Sequence, residues 1–285
     1  MADDFTRGVF MQFISMVFFD RVVPNLLQDL ATVFASQFPN VRFDILDSNE
    51  NPENIWIVSV DDQLYGLILY PVAPTMDEFH WAARQNILWG GGSEAIVRTK
   101  AHLVIGIRSH ESANPLRVAR GLTLLAGAAS RFPGAITGHW GLKARNLMPA
   151  QIVVKAAAEA YQGRWPAILW HRLEWFKIAR PTSFVQRVLS FKSGEEGGSW
   201  GLTTVGMSEF VGREVEMEVD LTRRDEAVSL LLDVSSYILG NWKKIKHNDT
   251  LGGEEPGSLM MRIQKREKAL SSDGPSYTLV PQTVN

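Results

Sequence analysis

From Glu214 to Asp220 the chain alternates strictly between carboxylate and apolar side chains: Glu214, Val215, Glu216, Met217, Glu218, Val219, Asp220. That period is two, and a β-strand sets successive side chains on opposite faces. Val215, Met217 and Val219 therefore belong to a core, and four carboxylates share the other face. Like charges at i and i+2 repel, so the acidic face needs water, cations or basic neighbours. Arg172, Lys177, Arg187 and Lys192 lie in the segment before it. The first reading is a solvated strand with salt-bridged neighbours, and the second is a docking face for a basic protein. A metal site ranks last, because metal ligands converge from several elements whereas a strand face spreads them.

The rest of the chain mixes two kinds of strand. "IWIVSVDDQLYGLILYPV" reads as a hairpin turning at Asp61-Asp62, and "VRFDIL" (Val41–Leu46) as another strand. "AHLVIGI" (Ala101–Ile107) is a continuous apolar run of the central-strand kind. Between the strands, Leu26, Leu27, Leu30, Val33 and Phe34 form a helical stripe. Thr75 and Glu78 read as a capping box for a helix that Gly90-Gly91-Gly92 ends. Further helices are read in "NPLRVARGLTLLAGAASRF", "PAQIVVKAAAEAYQG" and "RRDEAVSLLLDVSSYILGN", the last with Gly240 as its C-cap. Strands occur both in hairpins and between helices. This predicts an α+β fold: a mixed, largely antiparallel sheet with helices packed mainly on one face. One domain is expected over residues 1–256, with a division into two sub-lobes near 110–135 as the alternative. Residues 257–285 read as a polar C-terminal tail holding a basic helical piece and a weak last strand, "YTLV".

Gly8–Phe19 is apolar enough for a signal-peptide core, but its flank "MADDFTR" carries two acids and one base. No small-residue cleavage site follows, and the run is too short to span a bilayer. It is read as a buried strand retained in a cytoplasmic protein, with no membrane partner. A formal net charge of -2 gives no reason to expect nucleic acid. The chain has no cysteine, which excludes disulfides and thiolate metal sites.

The candidate chemistry is sparse. "WGGGSE" (Trp89–Glu94) is glycine-rich but follows a helix and lacks the P-loop lysine, so it reads as a helix stop. His102 and His139 are the histidines expected to be buried, and no pair has metal-ligand spacing. There is no G-x-S-x-G elbow. Trp165, Trp170 and Trp175 are read as core. No cofactor, no metal and no catalytic residue is expected. The rival reading is a hydrolase pairing one of these histidines with a carboxylate.

Several segments together resemble a bacterial family of unknown function whose members sit beside secreted toxins, notably those of type VI secretion. They are "KAHLVIGI" (Lys100–Ile107) and the helix after it, "GHWG" (Gly138–Gly141), "TTVGMSEFVGREVEMEV", "EAVSLLLDVSSYIL" and "HNDTLG" (His247–Gly252). The resemblance runs from about residue 65 to 255 and has no counterpart after Gly257. It implies an immunity protein that binds a cognate toxin encoded by an adjacent gene, with a nuclease as the toxin the acidic surface suits. The contact residues expected on this reading are Glu216 and Glu218 on the strand, with Glu195, Glu196 and Trp200 on the loop "SGEEGGSW".

Overall fold

The computed structural model describes residues 13–46, 55–75, 77–107, 114–141, 143–178, 199–252 and 260–282. The fold is α+β, with largely antiparallel sheets. The chain divides into two compact units, Met1–Arg172 and Leu173–Asn285, in place of the one domain expected over 1–256. Residues 110–135 do not mark a seam. They carry a helix whose residues from Val118 to Ala129 are almost all buried in the first unit.

The first unit is built on seven strands: β1 (Ile14–Phe19), β2 (Phe43–Leu46), β3 (Ile55–Val60), β4 (Gln63–Tyr70), β5 (Ala101–Ile107), β6 (Ala135–Trp140) and β7 (Asn146–Pro149). Their order is β2-β3-β4-β5-β1-β6-β7. Of the apolar run Gly8–Phe19, residues 8–12 lie outside the described residues, and Ile14–Phe19 form an inner strand with Val17, Phe18 and Phe19 fully buried. Asp61 and Asp62 join β3 to β4 with φ of 47° and 65°, the left-handed pair a two-residue hairpin requires.

Helices α1 (Leu26–Gln37), α2 (Asp77–Gln85), α3 (Gly92–Arg98), α4 (Pro115–Ala129), α5 (Ala150–Tyr161) and the short α6 (Ala167–Trp170) complete this unit. α4 starts where Pro115 supplies a helical φ and the Asn114 side chain accepts the Leu116 amide at 3.0 Å. α4 and α5 pack at close range because Gly127 faces Ala157; a methyl at 127 would lie 2.1 Å from the Ala157 Cβ. These longer helices cover the face that carries Val17 and Gly138. Phe18 points the other way and meets Phe79 of α2 at 5.0 Å between ring centroids. The single helix expected from Thr75 through Trp89 is two helices. α2 stops before Asn86, whose side chain accepts the Leu88 amide and donates to the Leu147 carbonyl, and Gly92 opens α3 instead of ending α2. Glu78 pairs with Arg145 at 3.3 Å.

The second unit contains β8 (Arg172–Ile178), β9 (Ser199–Val205), α7 (Ser208–Val211), β10 (Glu214–Val219), α8 (Arg224–Asn241), β11 (Thr250–Leu251), β12 (Met260–Arg266) and β13 (Ser276–Gln282). The sheet order is β11-β12-β13-β10-β9-β8. β10 and β13 run parallel, whereas β9–β10, β12–β13 and β11–β12 are antiparallel. α8 packs on β10 and β9, burying Ala227, Leu231, Val234 and Ile238. It runs one residue past Gly240, so that glycine is not its cap.

Within the stretch expected to be a polar tail the last strand, "YTLV", is present, but the stretch is part of a sheet. Its residues make β12 and β13, and β13 lies inside the sheet with Tyr277 and Leu279 buried. The segment read as a basic helix is β12, with Met261 and Ile263 buried and Arg262 exposed between them. The motif "HNDTLG" forms the turn into this sheet: the Asn248 amide donates to the Ile263 carbonyl, and the Ile263 amide to that of Asp249, both at 2.8 Å.

Candidate functional site

The four carboxylates of the alternating strand have four different environments. Glu214 accepts the Gly206, Met207 and Ser208 amides at 3.1, 3.0 and 3.3 Å, and the Thr204 and Ser208 hydroxyls at 2.8 and 2.7 Å. It anchors the turn that opens α7. Glu216 is 0% exposed. It accepts the Leu270 and Ser271 amides at 2.8 and 3.1 Å and the Ser271, Ser276 and Thr278 hydroxyls at 3.0, 2.8 and 2.8 Å. Glu218 is exposed. Asp220 accepts the Thr222 amide and hydroxyl at 2.9 and 2.8 Å, and those bonds hold its carboxyl below the usual carboxylate range.

Glu216 is therefore not on a docking face, as the alternation alone suggested. A buried carboxylate is tolerated where donors saturate it, and here they come from β13 and the turn before it. The signal was available in the small hydroxyl residues Ser276 and Thr278, two apart on one strand. Their register opposite Glu214 and Glu216 was not readable locally.

Trp200 does not join Glu218 on one surface. It pairs in register with Val219, and Gly201 pairs with Glu218, so the indole lies on the opposite face of the sheet. Trp200 is half-buried, with the Lys177 Nζ 5.6 Å from its ring centroid. Glu195 and Glu196 lie outside the described residues.

The second unit carries a groove that reading by residue type missed. It lies between α8 and the strands β10, β13 and β12, in two adjoining parts of about 320 and 400 Å³ that share Leu230 and Met261. Among the described residues its carboxylates are Asp220, Glu226 and Asp233, against one cation, Arg223; Glu218 reaches it only through its backbone, because its side chain lies on the other face of β10. Arg223 is already held by Glu226, with its Nε 3.0 Å from Oε2. The available signal was the run Leu230-Leu231-Leu232. Three consecutive leucines spread apolar surface more widely around a helix than one buried stripe does.

The two histidines of the hydrolase reading are buried in the first unit. His102 sets Nδ1 2.8 Å from the Val72 carbonyl oxygen and stacks on Tyr70 at 4.8 Å; burial lowers its pKa. His139 packs edge-on to Phe79 at 5.1 Å, and neither ring nitrogen has a hydrogen-bond partner among the described residues. Burial, assisted by the Arg145 charge, pushes its pKa down to about 4. Among the described residues no three His, Asp or Glu side chains are grouped to hold a metal, and no helix is long and apolar enough to cross a membrane.

Residues 203–280 match the family described as a domain of unknown function (DUF4261). No curated protein and no solved structure matches the chain. The matched stretch begins in β9, ends in β13, and contains the Glu214 and Glu216 networks and every groove residue named above.

Proposed function

We propose that this chain is a cytoplasmic binding protein that neutralises a cognate secreted bacterial toxin, encoded by an adjacent gene, through protein–protein contact and without catalysis. The observation that carries this reading is the open, apolar, acid-rimmed groove on the second unit. Concave apolar surfaces with a polar rim are what protein partners engage. The resemblance of residues 65–255 to proteins found beside type VI toxins supplies the kind of partner. The burial of His102 and His139 also favours binding over hydrolysis, because a catalytic ring has to meet substrate.

The test is co-expression. The adjacent gene product, induced alone, should arrest growth of a bacterial host, and the wild-type chain should restore it while co-purifying in a stable complex. Growth arrest that persists despite soluble chain would overturn the neutralising role.

A further inference from the structure

We propose that the groove along α8 docks a basic amphipathic segment of a protein partner, one that sets Lys or Arg side chains beside Leu- or Met-sized apolar ones. This rests on the binding reading above and names the chemistry the partner brings to that surface. Leu230, Val234 and Tyr237 all border the groove, spaced four and three residues apart on one helix. The groove therefore follows α8 for about two turns, roughly 10 Å. Its floor includes Met261, which is buried beneath the groove. An extended trough between a helix and a sheet fits a chain segment with several anchors in line.

The rim decides the charge. Asp220, Glu226 and Asp233 border the groove, Arg223 is the one cation lining it among the described residues, and that guanidinium is held by Glu226. An incoming Lys or Arg meets a surplus of carboxylate. A phosphate, an anionic lipid headgroup or an acidic segment meets repulsion. Tyr237 is 49% exposed, leaving aromatic surface at the rim for such a segment to cover.

The experiment is fluorescence anisotropy on the full chain with a fluorescein-labelled helical peptide of about 15 residues, built from Leu and Lys at helical spacing. A Leu/Glu peptide of the same pattern is the control. The expected result is saturable binding of the Leu/Lys probe that weakens with salt, and no saturable binding of the Leu/Glu probe. Binding should weaken by about tenfold or more in Glu226→Lys/Asp233→Lys, which alters two exposed residues, and in Leu230→Lys. Circular dichroism identifies either variant that fails to fold, and the other then carries the test. Three results would overturn the proposal: no saturable binding, equal binding of both probes, or undiminished affinity in a folded variant. A chain that is dimeric without probe, and made monomeric by either variant, would assign the groove to a second copy and also overturn it. Growth rescue separates this from the neutralising role. Wild-type rescue that both variants retain removes only the groove, whereas probe binding without rescue removes only the toxin.

Discussion

The Thr278 hydroxyl donates to the Glu216 carboxylate at 2.8 Å across the parallel pair β10–β13. Thr278 is one of five donors, two amides and three hydroxyls, that saturate a carboxylate 0% exposed. Removing the acceptor strands its donors inside the protein. Glu216→Ala is expected to cost about 3 kcal/mol or more, and Glu216→Gln somewhat less, since one oxygen remains to accept. Glu218→Ala, two residues on and exposed, should stay within about 1 kcal/mol. Urea midpoints of the three variants check this. Similar midpoints for Glu216→Ala and Glu218→Ala would refute it.

The buried imidazole of His139 predicts a pH slope. Its pKa is about 4 in the folded chain, against about 6.5 for an unperturbed histidine. Below pH 6.5 the unfolded chain takes up a proton that the folded one refuses. Stability therefore falls as the pH drops, and stops falling on this account below pH 4. The shift corresponds to a loss of about 2 kcal/mol between pH 7.5 and 5. His102 is shifted in the same direction by burial. In His139→Phe the loss over this range should be smaller than in wild type. Parallel stability profiles for the two proteins would show that His139 does not stay neutral in the fold.

Helix packing in the first unit predicts a compensating pair. A methyl at position 127 would meet the Ala157 Cβ at 2.1 Å. Gly127→Ala should destabilise by about 1–3 kcal/mol despite the better helix propensity of alanine, because overpacking outweighs that gain. Adding Ala157→Gly removes the clash, so the double variant should be more stable than the sum of the single effects. Additive effects in thermal melts would contradict the close α4–α5 contact.

What was legible in the sequence, and what was not, divides by range. The Asp61-Asp62 hairpin, the helix in "NPLRVARGLTLLAGAASRF" and the apolar runs of β1 and β5 are local signals, and each sits where its residues place it. The pairing of Glu216 with Thr278 spans 62 residues, and nothing near either residue specifies it. β12 misled for a different reason. "MRIQKR" is rich in long polar side chains that suit helices, and its two inward residues, Met261 and Ile263, are too few to establish a period. The groove escaped because its walls come from a helix and strands separated in sequence, and each wall by itself reads as ordinary core. Residue type alone suggests that Trp200 and Glu218 share a contact surface, and the strand register places them on opposite faces.

Removing residues 258–285 should unfold the second unit. A chain ended after residue 257 lacks β12 and β13, and with them the inner strand that pairs β10 along Glu214 to Met217. The truncated chain would leave Glu216 without the Leu270, Ser271, Ser276 and Thr278 donors. It would also uncover Val215, which is 0% exposed in the intact chain, by deleting Ile263 and Leu279 from the same core. A core that loses two of its strands and the partners of a buried charge has no compensating contact to draw on. The expected outcome is rapid proteolysis within residues 199–252 and strong binding of a hydrophobic dye. Leu279→Asp in the full-length chain should do the same by placing an unpaired carboxylate in that core. A truncated chain that resists protease and keeps the strand content of residues 199–219 would mean that β9 and β10 do not depend on β13.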